Sequence, residues 1–338
     1  MLCAVRDESS AILFQKGDDV TYALFGAAGT VGQAVAAELA VRKLPFRAVG
    51  RTAATLENRF AEYGSLAERV AADLSDPQDA RRAARGVETV IYAVGVPYDQ
   101  FAKHPVLTRI ALEAVSAQGV RRFVLVSSVY SYGLPRVDLI DETQPREPQT
   151  FKGRMRKEQE DLVLAAHAPG VFETAVVRTA DFYGPTAELS LAWQIFSAAV
   201  AGKRANVLAP IDTPHEFVYV PDLGRMLVEL SQTGAAFGSA WNFAGPQRIT
   251  VREFARRIYA AAGSQPKLFA VNRTMLRIFG LFDPTMRELV EMNYLQSAPV
   301  NLDDSRLRSL FPSFAKTSYD EGIAQTLSVV QPQGKSAA

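Results

Sequence analysis

Three glycines stand at positions 26, 29 and 32 in the run GAAGTVG, after the apolar residues Tyr22–Phe25 and before an Ala-rich amphipathic stretch that ends near Arg42. Glycines at this spacing can hold a phosphate on backbone. Gly26 allows a tight turn, Gly29 lets the main chain approach a pyrophosphate, and Gly32 lets the helix pack close to the strand. The phosphates would then sit on free N–H groups at the helix start, those of Thr30 and Val31. A second candidate is Arg51, at the end of the apolar run Phe46–Val49. A carboxylate at that place accepts from a ribose 2′-hydroxyl, whereas a guanidinium suits a 2′-phosphate, so NADP(H) is favoured over NAD(H). A third is the hydroxyl pair Ser127-Ser128, which follows the apolar run Phe123–Val126.

The elements that position these groups read as strand, glycine turn, helix, strand. This βαβ unit is the setting in which a glycine triplet marks a dinucleotide site. The alternation continues with a helix over Ala53–Tyr63, a third strand Arg69–Ala72, and a helix begun by Asp76 as cap with Pro77 at its first position. A fourth strand, Thr89–Val94, ends in the small residues Ala93-Val94-Gly95, as expected where backbone lies against a ligand. An amphipathic helix over Pro105–Gln118 stops at Gly119, and Phe123–Val126 is a fifth strand whose carboxyl end presents the two serines. The expected fold class is α/β: a Rossmann-type doubly wound parallel sheet, ligand at the carboxyl edge.

Composition sets the bounds. The chain has 338 residues, 48% hydrophobic and 22% charged, ordinary for a globular protein that can bury a sizeable core. A net charge of +1 gives no basic field to attract nucleic acid. One cysteine, Cys3, excludes an internal disulfide framework, and three scattered histidines form no metal-binding pattern, so a reducing, cytoplasmic setting with no metal site is expected. No apolar run approaches the ~20 residues that span a bilayer. Residues 1–19 read as an extension without signal-peptide character, and the tail from Gln331 reads as disordered.

The chain resembles the extended short-chain dehydrogenases/reductases, the group that includes nucleotide-sugar epimerases, dehydratases and dihydroflavonol-reductase-like enzymes. The likeness is carried by GAAGTVG, Ala72–Asp76 (ADLSD), Tyr92–Gly95, Phe123–Ser128 (FVLVSS), Tyr132-Gly133, Arg178–Pro185 (RTADFYGP), Phe217–Leu223 (FVYVPDL) and Trp241–Pro246 (WNFAGP), and spans roughly Thr21 to Leu327. It implies that Asp73 and Leu74 lie around the adenine, that Ala93, Val94, Gly95 and Val96 line the cofactor with Ser127, and that Ser128 donates a hydrogen bond to the reacting oxygen. It places Thr179 at a nicotinamide-side turn. It also implies a division into a dinucleotide domain, 20–185 with late elements from 213–245, and a smaller, mostly helical substrate lobe from 186–212 and 246–330.

The departure from that family is specific. Its members carry Tyr and Lys four residues apart on the helix after the serine strand, Tyr as proton donor and Lys lowering its pKa. Here the segment is FKGRMRKEQEDLV from Phe151, without a tyrosine, and anchoring on Glu160 puts Lys152 and Arg156 in the two places. Both would share one helix face. Arg156 could hold a ribose but cannot trade protons, while Lys152 could do so only if its environment drew its pKa toward neutral. Arg154–Glu158, Arg156–Glu160 and Lys157–Asp161 also fit ordinary i,i+4 pairs on a solvated helix. Tyr130 and Tyr132 lie just beyond the serines and could supply a phenol instead.

Met275, Phe279 and Met286, in a stripe read as core or cleft lining, point to an apolar carbonyl compound. The expected activity is an NADP(H)-dependent oxidoreductase of a small hydrophobic carbonyl or alcohol with a non-standard proton donor. The alternatives are an NAD(P)-binding sensor without catalysis, or an epimerase/dehydratase-like enzyme. The expected partner is a small molecule, not nucleic acid or a membrane, and a homodimer is left open.

Overall fold

Continuous apolar runs such as YALF, TVIY and FVLVSS have no polar face, so they belong at the centre of a sheet covered on both sides. The computed structural model describes residues 21–330, less the side chains of Pro284 and Thr285; the expected extension over 1–19 and the tail from Gln331 lie outside them. In chain order the elements are β1 (Tyr22–Phe25), α1 (Thr30–Val41), β2 (Phe46–Gly50), α2 (Ala53–Phe60), β3 (Ala67–Ala71), α3 (Pro77–Ala84), β4 (Thr89–Tyr92), α4 (Lys103–Ala117), β5 (Arg122–Ser128), α5 (Phe151–Ala165) and β6 (Glu173–Thr179). Then follow β7 (Asp181–Tyr183), α6 (Trp193–Val200), β8 (Ala205–Leu208), β9 (Pro214–His215), β10 (Phe217–Tyr219), α7 (Val220–Gln232), β11 (Ser239–Phe243), β12 (Ile249–Thr250), α8 (Val251–Ala261), β13 (Leu268–Val271), α9 (Arg273–Phe279) and α10 (Pro284–Met292).

Seven strands form one parallel sheet in the order β11-β6-β5-β4-β1-β2-β3. This is the doubly wound α/β sheet expected. One face is closed by Val35, Leu39, Leu223 and Leu227, the other by Ala80, Ala84, Ala111 and Val115, all buried. A third core lies outside the sheet, where Tyr183, Phe196, Phe217, Phe254 and Tyr319 pack ring on ring, Phe217 and Phe254 stacked at 4.3 Å. The short pairs β10-β7, β12-β9 and β13-β8 complete this region. Glu216 ties it to the later chain, accepting from the Gly245 and Leu302 N–H groups at 2.9 and 2.7 Å; burial nevertheless pushes its carboxyl up to about 7.

Several boundaries differ from expectation: α2 ends at Phe60, β3 spans Ala67–Ala71, α4 spans Lys103–Ala117 and β5 spans Arg122–Ser128. β4 stops at Tyr92 because the Gly26 turn presses on Ala93, whose carbonyl oxygen would lie 2.7 Å from a Cβ at residue 26. Helix α6 begins only at Trp193, whose N–H donates to the Ser190 hydroxyl, and the preceding Leu189 is 93% exposed. The apolar stripe around residues 275–286 is not core. Asp283-Pro284 breaks it into the short helices α9 and α10, and Phe279, Leu281 and Phe282 face outward.

Candidate functional site

The β1–α1 turn has the form needed for a phosphate. Gly26 has φ +85°, accessible at little cost only to glycine, and a Cβ at Gly32 would lie 2.5 Å from the carbonyl oxygens of Gly26 and Ala27. Gly29 caps α1 in extended backbone without any side-chain bond, and Gln33 N–H to Gly29 C=O marks the helix entry. The amides of Thr30, Val31 and Gly32 precede that bond, so they are donors without an intrahelical acceptor. Thr30 is further fixed from outside, its carbonyl accepting from the Thr186 hydroxyl at 2.9 Å.

Around this turn the carboxyl ends of the strands bring the other expected cofactor residues together. Arg51 follows β2, is exposed and makes no ion pair among the described residues. Asp73 follows β3 and is exposed; its carboxyl is held below the usual range by the Ser75 N–H and hydroxyl, with Arg51 contributing. Leu74 is buried behind it, and Ala93, Val94 and Gly95 follow β4 with Ala93 packed directly on the glycine turn. Thr179, at the end of β6, is 1% exposed and its hydroxyl has no partner. Open amides, a cradle that a Cβ would fill and an orphan hydroxyl fit a dinucleotide.

The serines divide. Ser128 is half-buried at the end of β5, and its hydroxyl accepts from Tyr130 N–H at 3.4 Å. Ser127 is turned into the protein: its hydroxyl donates to Glu160 at 2.6 Å, and the same fully buried carboxylate takes Arg178 Nε at 2.9 Å and Arg146 Nη1 at 3.0 Å. Arg178 also donates to the Tyr132 hydroxyl at 2.8 Å, which in turn donates to Asn242 Oδ1. Tyr132 is therefore 3% exposed inside a satisfied network, and burial raises its phenol against the opposing pull of Arg178. Neither Ser127 nor Tyr132 keeps a free hydroxyl for a ligand.

Helix α5 starts at the Thr150 cap, whose hydroxyl accepts from Gly153 N–H at 3.0 Å. Gly153 permits close packing on the serine segment, because a Cβ there would lie 2.7 Å from the Tyr130 carbonyl oxygen. Lys152 is consequently 1% exposed, and its ammonium lies 2.5 Å from Glu288 and 2.7 Å from Glu291 on α10. Burial pulls its pKa down, but the hydrogen bonds and charges of the two glutamates outweigh that, and the net shift is upward. The drift toward neutrality that would make Lys152 a proton donor does not occur. Arg156 is half-buried over the Phe101 ring, with Nη1 on Gln159 and Nε without a partner. Of the three i,i+4 pairs read on this helix only Lys157–Asp161 forms, at 2.7 Å; Arg154 bonds the Gln149 carbonyl and Glu160 turns to the core.

Because Lys152 is the deeply buried member of its cluster, E288Q/E291Q is expected to lower the unfolding free energy by about 3 kcal/mol in urea titrations. K152M, which fills the same space without charge, is expected to cost less than half of that. Equal losses would show that the lysine is not the unpaired charge.

Tyr130 lies two residues after Ser128, to whose hydroxyl its N–H donates, and it is paired with Tyr98. Their hydroxyls are 2.8 Å apart, and Tyr130 stacks on Phe101 at 6.3 Å. Burial raises both phenols, Tyr130 well above the usual value, so both are neutral donors at physiological pH. Asp181 adds to that rise through its charge and is itself 3.1 Å from His215 Nε2. Tyr98, Glu288 and Glu291 carried no motif in the sequence; the only available signal was that the two glutamates lie three apart, on one helix face.

The NAD(P)H-binding family model matches residues 26–168, from the first glycine to three residues past α5. Residues 26–168 are thus similar to NAD(P)H-binding domains. Over 120 residues the chain is 31% identical to probable UDP-arabinose 4-epimerase 1 of Oryza sativa subsp. japonica, covering 32% of this chain and 28% of that protein. Over 158 residues it is 25% identical to dTDP-glucose 4,6-dehydratase of Streptomyces niveus, covering 46% and 47%. The chain thus matches less than half the length of these curated relatives. The crystal structure of UDP-glucuronic acid 4-epimerase from Bacillus cereus in complex with NAD superposes with a TM-score of 0.75 at 16% identity, over 92% of this chain and 96% of that one. At that identity the likeness is one of fold, and it covers the elements after residue 168 as well as those before.

Proposed function

We propose that the chain is an NADP(H)-dependent oxidoreductase acting on a small apolar carbonyl or alcohol, with the Tyr130–Tyr98 pair in the place of the absent tyrosine–lysine pair. The observation that carries this reading is the 2.8 Å contact between two neutral phenols, one of them on the residue whose N–H donates to the Ser128 hydroxyl, with Lys152 committed to Glu288 and Glu291. A bound nicotinamide supplies hydride exchange at the substrate carbon. Ser128 donates a hydrogen bond to the substrate oxygen, Tyr130 delivers a proton to it as charge develops, and Tyr98 donates to the Tyr130 oxygen. Thr30, Val31 and Gly32 amides hold the pyrophosphate, Arg51 takes the 2′-phosphate, and the Thr179 hydroxyl and Arg156 Nε are donors for the nicotinamide half. The rings of Phe101 and Tyr130 favour an apolar substrate.

The test is a titration with NADPH and NADH followed by turnover on a carbonyl panel. Arg51→Ala is expected to weaken NADPH by about tenfold more than NADH, the loss of one charge-assisted contact; equal weakening rejects the 2′-phosphate role. Tyr130→Phe is expected to lower turnover by roughly 100-fold with dinucleotide affinity retained. The locked Lys152 favours one second reading, a dinucleotide-binding sensor, for which tight binding without turnover on any carbonyl or nucleotide sugar is the expected result.

A further inference from the structure

The hairpin formed by α9 and α10 carries an apolar tip that the dinucleotide site does not use. Ile278, Phe279, Leu281 and Phe282 are 53, 44, 78 and 86% exposed, four large apolar side chains within five positions. Single exposed apolar residues are ordinary on a protein surface, whereas a contiguous set marks an interaction site. Charge on the hairpin is sorted by side. Glu288 and Glu291 point inward onto Lys152, and the Asp283 carboxylate is used at the start of α10, where Met286 N–H donates to it. Arg273, Arg277 and Arg287 are exposed and make no ion pair among the described residues. Arg277 lies one helical turn from Leu281, and the Arg287 Cα packs against Gly280 in the tip itself.

We propose that the α9–α10 tip docks on an anionic lipid bilayer surface, inserting Phe279, Leu281 and Phe282 into the headgroup boundary while Arg273, Arg277 and Arg287 meet the lipid phosphates. The pattern is that of an interfacial element: apolar side chains that can be buried a few ångströms deep, and cations with long stems at the rim. No helix among the described residues is long and apolar enough to cross a membrane, so the docking is peripheral. Because α10 also carries the glutamates that clasp Lys152, the bilayer would lie against the element that covers α5. A second copy of the chain could bury the apolar residues equally well, but it would bring the same unpaired arginines together.

The test is co-sedimentation of the full chain with phosphatidylcholine vesicles and with phosphatidylcholine–phosphatidylglycerol vesicles. Association with the anionic vesicles is expected, weakening as salt is raised. L281D/F282D is expected to lower partitioning by at least about tenfold, the removal of two inserting side chains, and R277Q and R287Q by about fivefold each. If L281D/F282D fails to melt cooperatively, the arginine variants and the salt series decide. Absence of association with the anionic vesicles, or association that neither set of variants changes, overturns the proposal. So does a dimer in sedimentation equilibrium that L281D/F282D dissociates without any vesicle binding.

Discussion

Glu160→Ala is expected to lower the unfolding free energy by about 3–5 kcal/mol, the cost of leaving a buried charge without its partner. Glu160 is fully buried and accepts from Ser127, Arg146 and Arg178 at once. Arg146 is partly exposed and can return to water, but Arg178 is 2% exposed and would keep only the Tyr132 hydroxyl. A guanidinium so placed cannot neutralise itself, because it does not give up its proton in a protein. Glu160→Gln retains an acceptor and is expected to recover part of the loss. Urea denaturation of the three proteins decides: a loss under about 1 kcal/mol for the alanine variant would mean that water reaches Arg178 and that the network contributes little.

Gly29→Val is expected to weaken dinucleotide binding on the order of 100-fold, ~2.7 kcal/mol, while leaving the thermal midpoint within a few degrees. The two halves of that expectation have separate causes. Gly29 is exposed, has φ −79° and ψ 172°, and its Cβ would meet only the Gly26 carbonyl oxygen at 3.3 Å, so the apo fold tolerates a side chain. The side chain would stand where the main chain must approach the pyrophosphate. Gly32→Ala differs, because its Cβ would collide at 2.5 Å with two backbone carbonyls and the turn itself must move. Calorimetric titration with NADPH beside a melting curve separates them; undiminished affinity in the Gly29 variant would place the phosphates elsewhere.

The order of strands, helices and glycines was legible in the chain because it is local. Apolar runs of four to seven residues, Asp76-Pro77 and Gly119 mark their own boundaries, and the βαβ unit falls between Tyr22 and Gly50 as read. The resemblance to the epimerase/dehydratase group was legible for the same reason, as was the absence of tyrosine from the helix after Ser128. Spacing also put Lys152 and Arg156 on one face of α5.

What the sequence by itself could not decide was which partner each side chain would find. Ser127 and Ser128 are neighbours in the chain, yet strand alternation sends one to Glu160 and leaves the other at the cleft. Lys152 meets Glu288 and Glu291 across 136 and 139 residues, and Tyr130 meets Tyr98 across 32. The apolar stripe near residue 280 has core composition, but its two short helices leave one side without a partner. Composition and periodicity specify which residues are able to do chemistry; hydrogen bonds and ion pairs depend on ångström distances between distant segments, and those distances exist only once the chain has folded.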